Sequence, residues 1–351
     1  MKVGLSLTSL LTNLISKSPK QPLEPESEDE KKIGTTIRFE PPTRRFIESQ
    51  AEHLGISTQE FVAMTFKAIM NATVEPQSTE LELMVSRFIE LFVAHGVPIS
   101  DIPKLLPEGA LARSDLLEKK SLVDKLSDEV LDSTSELFGV NIGWLKGVKQ
   151  QPYKTPAFRW YKNVDGFAMR LAIACHESRR VRVLFVGERG LTMESLLEAK
   201  ESDDSISPVN VGVVIEKEFL VDGVGFKTYE IWESERWNYW RCRHCLKAIM
   251  MFCEKSRVRY DGVLLSQEAM ISLFEGKEIA NPLIEASRES WTPDQLLWGD
   301  ERNLELSELD AIREFYEEDS GAPKYEVAIT QPFSVKDWDA FKRGRYEIDS
   351  E

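Results

Sequence analysis

The sequence of residues 34–73 predicts one short strand followed by two short helices, and this order constrains the fold more than any other feature of the chain. Residues 35–40 alternate between apolar and polar side chains, a pattern that predicts a half-buried strand. Pro41 and Pro42 end this strand and fix a backbone angle suited to the start of a helix. A lone strand has two unpaired edges, and roughly forty residues bury too little apolar surface to fold alone. The segment therefore needs a partner.

Both predicted helices carry recognisable ends and an apolar face. The first ends at Leu54, before Gly55, a residue suited to the left-handed conformation that closes a helix. The second begins after Ser57, a strong N-cap residue, and Glu60 completes a capping box with it. The faces at helical spacing consist of Phe46, Ile47, Ala51 and Leu54 in the first helix and Phe61, Met64, Thr65, Ala68 and Ile69 in the second.

The simplest partner for this segment is a second copy of it. In a two-fold dimer, two copies of the strand pair antiparallel over four helices, with Ile37 and Phe39 in the shared core. Thr36, Arg38 and Glu40 then point outward from both chains, and a two-stranded ribbon of this kind fits the DNA major groove. Arg38 suits a guanine edge, and Thr36 suits a hydrogen bond or a thymine methyl group. Glu40 repels phosphate unless it accepts a hydrogen bond from cytosine.

This order of elements resembles the ribbon-helix-helix family of DNA-binding proteins, the Arc/Met-repressor type. The resemblance covers residues 33–74 and rests on the strand TTIRFE, the first helix PTRRFIESQAEHLG and the IST turn into the second helix. It implies a homodimer that inserts its ribbon into the major groove of double-stranded DNA. The amides at the start of the second helix would face a backbone phosphate. The candidate DNA-binding residues are Thr36, Arg38, Glu40, Arg44, Ser57 and Thr58. The alternative is a strand and two helices inside a larger dimerisation domain.

Charge restricts DNA binding to this part of the chain. The formal net charge is −15 and the pI is about 5.0, so the chain as a whole is not a general nucleic-acid binder. Across residues 31–73, however, six basic residues outweigh four acidic ones. We expect weak non-specific binding, with specificity that depends on dimerisation and on several dimers at adjacent half-sites.

Composition is that of a soluble globular chain. Hydrophobic residues make up 42% and charged residues 29%, so a sizeable core can form. No window approaches the run of about eighteen apolar residues that a membrane-spanning helix needs. Four cysteines in 351 residues argue against a disulfide scaffold and fit a reducing compartment. The expected location is the cytoplasm, without membrane contact.

Breaks in composition divide the chain, and the expected fold class is multidomain α+β. The predicted divisions are a flexible arm and acidic linker (1–32), a ribbon-helix-helix head (33–74), an all-helical unit (80–148), a mixed α/β domain (157–290) and an acidic tail (291–351). Strands are expected at Val181–Val186, Val209–Val221 and Phe226–Trp232, which form a small antiparallel sheet. Asp222-Gly223 between the last two strands predicts a hairpin turn.

The helical unit resembles Cro/C1-type helix-turn-helix domains over residues 82–148. Residues 137–145 match the pattern Leu-Phe-Gly-Val-x-x-x-Trp-Leu, in which Gly139 ends one helix and Trp144 and Leu145 close the core. Upstream helices are expected at Arg87–His95, Ile99–Leu106 and Ala112–Asp124. Acids in the third of these oppose a phosphate backbone, so a packing and dimerisation role is favoured over DNA binding.

No pattern predicts a catalytic or metal site. Cys242-Arg243-His244-Cys245 has the spacing of half a zinc site, but no second pair accompanies it, and a buried stripe on a helix is the preferred interpretation. Trp232, Trp237, Tyr239 and Trp240 are expected to be core residues rather than a ligand pocket. We therefore expect no enzyme activity, no metal and no cofactor.

The sequence predicts a dimeric, sequence-specific DNA-binding regulator of transcription, with repression favoured over activation. Two alternatives belong to other classes. One is a protein-interaction adaptor of the antitoxin or plasmid-maintenance type, whose acidic C-terminal half binds a protein partner. The other is a small-molecule sensor that binds its ligand through residues 157–290.

Overall fold

A computed structural model describes residues 38–74, 80–202, 208–298, 308–317 and 321–344. The protein has a mixed α/β fold and divides into two compact units, Met1–Thr79 and Glu80–Glu351. The boundaries predicted near residues 148–157 and 290–291 both fall within the second unit.

The described residues of the first unit form two helices, α1 (Pro41–Leu54) and α2 (Thr58–Val74). The prolines stand at the start of α1, as the sequence predicts. Thr36 and Ile37, and with them the first half of the predicted strand, lie outside the described residues. Arg38, Phe39 and Glu40 precede α1 without regular secondary structure, and Glu40 has the extended angles φ −59° and ψ 147°.

The second unit begins with short helices. They are α3 (Glu80–Ala94), α4 (Lys119–Lys125), α5 (Asp128–Phe138) and α6 (Ile142–Leu145), with 3-10 turns over Ile99–Leu105 and Arg113–Leu116. The predicted helix Ile99–Leu106 is therefore a 3-10 turn, and it contains Pro103, which has no amide hydrogen to donate. The predicted helix Ala112–Asp124 is divided, because Glu118 adopts an extended conformation before α4.

A five-stranded sheet forms the centre of the second unit. Its strands are β1 (Arg180–Glu188), β2 (Asn210–Val221), β3 (Val224–Arg236), β4 (Arg259–Leu265) and β5 (Glu289–Trp291), in the order β3-β2-β1-β4-β5. The pair β1–β4 is parallel, and the other neighbours are antiparallel. The three predicted strands correspond to β1, β2 and β3 and do pair antiparallel, but the sheet is larger than expected and mixed, because β4 pairs parallel with β1 and β5 pairs with β4. The signal for a mixed sheet was the unbroken apolar run at residues 183–186, which is typical of a strand buried on both faces.

The hairpin between β2 and β3 is confirmed. Val221 pairs with Val224, so the loop consists of Asp222 and Gly223 alone. Their φ angles are +49° and +78°, which is the combination that a type I′ turn requires.

Helices cover both faces of the sheet and give three layers. The remaining helices are α7 (Val164–Glu177), α8 (Met193–Ser202), α9 (Trp240–Ser256), α10 (Gln267–Phe274), α11 (Ala280–Glu285), α12 (Gln295–Trp298), α13 (Leu309–Glu317), α14 (Ala322–Thr330) and α15 (Trp338–Lys342). Val183 and Phe185 of β1 lie in a core with α7, α9 and the C-terminal helices, whereas Leu184 and Val186 lie in a core with α3, α5 and α10.

The helix-turn-helix-like segment shares its core with the sheet. Phe138 of α5 packs edge-on against Phe92 of α3 at 5.0 Å between ring centroids, and against Phe226 of β3 at 5.9 Å. Gly139 adopts the left-handed conformation after α5, and Trp144 and Leu145 are buried, as the resemblance implied. The apolar surface of this segment is thus used to cover the sheet.

The described parts of the C-terminal segment are helical and packed, which corrects the expectation of an acidic tail over residues 291–351. Ile312 and Tyr316 on α13 and Phe341 on α15 are fully buried in the core on the α9 face. Ile312 and Tyr316 are four residues apart and therefore lie on one helix face. The acidic residues between these positions concealed that face in the sequence.

Length and apolarity were also compared with the requirements of a membrane span. Among the described residues, no single helix meets both requirements. The pair Glu80–Ala94 and Ile99–Leu105 meets them only when taken together, with a bend of 93° at the break.

Candidate functional site

The junction of α1 and α2 is held by two local motifs. Gly55 has φ +67°, its amide donates to Glu52 O at 3.1 Å, and the Ile56 amide donates to Ala51 O at 3.0 Å. The Ser57 amide donates to Glu60 Oε2 at 2.9 Å, and the Glu60 amide donates to Ser57 Oγ at 3.2 Å. Hydrogen bonds from the backbone and side chain of Ser57 lower the pKa of Glu60. The predicted C-cap glycine and capping box are both confirmed.

This capping box changes which backbone amides at the start of α2 can bind an anion. The Ser57 amide, expected to face a phosphate, already donates to the Glu60 carboxylate. The amides of Thr58 and Gln59 have no acceptor among the described residues. A phosphate at this helix end would therefore bind to those two amides, beside the Glu60 carboxylate.

The other candidate DNA-binding residues are solvent-exposed. Arg38, Glu40 and Thr58 are exposed, and Thr36 lies outside the described residues. Arg44 on α1 is exposed and pairs with Glu48 one turn later, at 2.8 Å between Nε and Oε1. The described residues of one chain thus do not bring these side chains into a single cluster.

The first unit leaves much of its apolar surface uncovered. Ile47 and Ala51 are buried between the helices, but Phe46 and Met64 are each 61% exposed and Phe66 is 54% exposed. Monomeric surfaces rarely carry several large apolar side chains in one short segment without a partner. We call the exposed side chains Phe46, Leu54 and Met64, which belong to the apolar faces predicted for the two helices, the apolar face of the head. Phe66 is two residues from Met64 and therefore lies on the other side of α2.

The second unit contains a cavity of about 540 Å³ at one edge of the sheet. It lies beyond the carboxyl ends of β1 and β4, at Glu188 and next to α10, which follows β4. Ligands in sheets with parallel strands commonly bind at this edge, because the chain turns there into helices. The lining residues are Glu188, Arg189, Gly190, Leu191, Ser195, Pro208, Val209, Asn210, Ser234, Gln267, Met270, Ile271, Phe274 and Glu275.

A buried charge cluster joins α9 to the start of α13. The Glu308 carboxylate accepts from Lys247 Nζ at 2.8 Å and from Arg243 Nε at 3.0 Å, and it lies 3.4 Å from His244 Nε2. Burial alone would raise the pKa of Glu308, but hydrogen bonds from His244 and Arg243 and the charge of Lys247 hold it well below its usual range. Burial lowers the pKa of Lys247 to about 8. These contacts fasten the C-terminal segment to α9.

The cysteines near this cluster are protonated core residues. Cys242, Cys245 and Cys253 are buried on α9, and burial raises the pKa of Cys242 to about 12. Within the described residues, no group of three or more His, Cys, Asp or Glu side chains is arranged to hold a metal ion. Trp232 and Trp237 are buried in the same core, as predicted, whereas Trp240 is partly exposed.

Comparison with protein-family models, with curated proteins and with solved structures finds no match.

Sequence reasoning missed the cavity because it missed β4. The signal was a short apolar run at residues 263–265, followed directly by Ser266, whose side chain caps α10 by accepting from Ala269 N at 3.3 Å. A strand that ends at a helix N-cap is the pattern of a parallel strand. Glu188, Arg189 and Gly190, at and just beyond the end of β1, belong to the same edge and supply part of the lining.

Proposed function

We propose that the protein is a dimeric, sequence-specific DNA-binding regulator of transcription, acting as a repressor, with a ribbon-helix-helix head at residues 33–74. The observation that carries the proposal is the apolar face of the head, on helices that follow the exposed Arg38 in the chain. A lone two-helix unit with such a face is unstable as a monomer in water.

A second copy of the head is the occupant that best fits this face. Self-association covers the same residues on both chains, as a two-fold interface requires. It also gives residues 35–40 a strand partner, since two copies of that segment pair antiparallel across the same axis. Phe39, 36% exposed in the single chain, then turns into the shared core.

The polar side of the ribbon supplies the contacts to DNA. Arg38 alternates with Phe39, so in a strand it points away from the core and toward the major groove, where a guanidinium matches the guanine edge. The amides of Thr58 and Gln59 hold a backbone phosphate and fix the register of the ribbon. The excess of basic over acidic residues at 31–73 favours this contact, against a net charge of −15 for the chain.

The proposed location is the cytoplasm. Cys175, Cys242, Cys245 and Cys253 are all unpaired, which suits a reducing compartment.

The test is selective DNA binding by the full-length chain. An operator is first identified by genome-wide footprinting, and its affinity is compared with that of a scrambled duplex. We expect Arg38→Ala to reduce the ratio of the two affinities by about tenfold to a hundredfold, the value of a lost bidentate guanine contact. The dimer, measured by sedimentation, should remain intact.

Arg343→Ala is the matched control, because Arg343 is an exposed arginine near the end of the second unit. It removes one positive charge and should leave the affinity ratio unchanged. If Arg38→Ala retained the selectivity of the unmodified chain, the ribbon would not be the element that reads the sequence.

A further inference from the structure

The lining of the cavity beyond β1 and β4 carries more negative than positive side chains. Its lining includes two carboxylates, Glu188 and Glu275, and one cation, Arg189. Arg189 is committed elsewhere, because its Nε lies 2.7 Å from Oε1 of Glu289, which is not part of the lining. Glu275 pairs with Lys277. Within the described residues, Glu188 has no ion-pair partner, so its negative charge in the lining is not offset by a salt bridge.

Polar side chains beside Glu188 are also uncommitted. Asn210 at the start of β2, Ser234 near the end of β3 and Gln267 at the start of α10 line the cavity. None of their side chains takes part in a hydrogen bond with another described residue. The amide and hydroxyl oxygens of these side chains can accept hydrogen bonds, so together with the Glu188 carboxylate they offer acceptors to an ammonium group with its three donors.

The opposite wall of the cavity is apolar. It includes Leu191, Met270, Ile271 and Phe274, and Ile271 is 46% exposed. Phe274 packs directly on the sheet at Gly212, where a Cβ atom would come within 2.0 Å of the phenyl ring. The glycine therefore lets the tip of the ring approach the β2 backbone, which holds the Phe274 side chain in place.

The start of α10 also faces this cavity, and a helix N-terminus by itself attracts anions. Its effect is equivalent to about half a positive charge. Glu268 in the first turn of α10 opposes that half charge, and the Glu188 carboxylate adds a full negative charge. The sum favours a cation over a carboxylate or phosphate.

We propose that this cavity binds an organic cation, an amine attached to a ring-sized apolar body. The ammonium group binds to the Glu188 carboxylate, with hydrogen bonds to the side chains of Asn210 and Gln267. The body packs on Phe274, Ile271 and Met270. The volume of about 540 Å³ holds such a ligand with room to spare. The site lies wholly in the second unit and does not depend on DNA binding.

Three probes of similar shape but different charge distinguish the contribution of the charge to binding from that of the apolar body. Phenethylamine, phenethyl alcohol and phenylacetate are titrated into the full-length protein near pH 7 by calorimetry. The amine should bind about tenfold more tightly than the alcohol, because it adds a charge-assisted hydrogen bond. The acid should bind more weakly than either. No binding by the amine, or binding of the acid or alcohol as tight as that of the amine, would overturn the proposal.

Two variants assign the contacts. Glu188→Gln should lower the affinity for the amine about tenfold and leave the affinity for the alcohol unchanged. Phe274→Ala should weaken the binding of both. Glu129→Gln, at an exposed position on α5, is the matched control and should change neither affinity. Amine binding that is unaffected by Glu188→Gln would show that the carboxylate does not hold the cation.

Discussion

His95 is a buried imidazole where the end of α3 meets the sheet. The side chain is 2% exposed, and its ring lies 4.5 Å from that of Phe138 and 6.4 Å from that of Tyr229. Nδ1 donates to the carbonyl of Leu91 at 2.7 Å, while Nε2 has no hydrogen-bond partner. Burial lowers the pKa of His95 from 6.5 to about 4, against the opposing influence of the Leu91 hydrogen bond. The imidazole is therefore neutral at pH 7.

This depressed pKa predicts a loss of stability in mild acid. The unfolded chain takes up a proton on His95 below about pH 6.5, whereas the folded chain does so only near pH 4. Stability is therefore full above pH 6.5 and falls as the pH drops toward 4, by about 3 kcal/mol in total. We expect His95→Gln to remove most of this dependence, measured as the free energy of unfolding by urea between pH 7 and pH 4.

His53, which is exposed on α1, supplies the control. His53→Gln should retain the pH dependence of the unmodified chain, because it removes an imidazole from the exposed surface of α1 and leaves His95 in place. A His95→Gln protein that lost as much stability in acid as the unmodified chain would assign the acid sensitivity to other groups.

The Glu308 cluster shows why the burial and the ion-pair partner of a single residue can be hard to predict from the sequence. Arg243 and Lys247 occupy a stretch that reads as one apolar stripe with charged residues between, and in the structure both charges are buried. Their carboxylate partner lies 61 residues from Lys247. Burial of these charges is tolerated because Glu308 accepts from both, and nothing local to either segment signals the pairing.

At the scale of elements, the apolar face of the head makes the strongest prediction. Phe46→Glu places a carboxylate on a face that the proposed dimer buries. Losing a buried phenyl group costs about 2 kcal/mol per subunit, before the cost of the charge is added. We expect the dimer to dissociate at concentrations at which the unmodified chain is dimeric, measured by analytical ultracentrifugation.

The matched change is Leu117→Glu. Leu117 is 84% exposed in the second unit, so the same substitution there should leave the dimer and its dissociation constant unchanged. Dimers that persisted in Phe46→Glu, or dissociation in Leu117→Glu, would show that the chains associate through another surface.

The elements predicted correctly are those with local signals. Gly55, the Ser57–Glu60 pair and Asp222-Gly223 each specify their backbone through contacts within four residues, and the structure has all three. The elements missed depend on distant partners. β4 pairs with β1, which lies about eighty residues earlier in the chain. The seven residues of β4 do not alternate between apolar and polar side chains, so the sequence alone does not indicate a strand there. The cavity was missed with it, because the lining depends on that pairing.

At the scale of the whole molecule, each unit has its own proposed role, DNA binding for the first and binding of an organic cation for the second. The second unit has helices on both faces of its sheet and a core on each side, so it contains what a domain needs to fold by itself. Its helix-turn-helix-like segment uses Phe92 and Phe138 to cover the sheet, which is a structural use of those helices. In the described part of the first unit, two helices pack on each other and several large apolar side chains stay exposed, which is why we propose that its folding depends on association.

A fragment spanning residues 80–351 tests this division directly. Because its core is complete, we expect a cooperative unfolding transition within a few degrees of that of the same unit in the full-length chain. The fragment should be monomeric, should fail to select the operator, and should keep the affinity of the full-length chain for phenethylamine. Calorimetry, sedimentation and a DNA-binding titration measure these properties on one sample. If the fragment bound the operator selectively, the helix-turn-helix-like segment and not the head would read the DNA. If the fragment formed dimers without binding DNA, the second unit would carry the dimer interface and the head would carry DNA recognition.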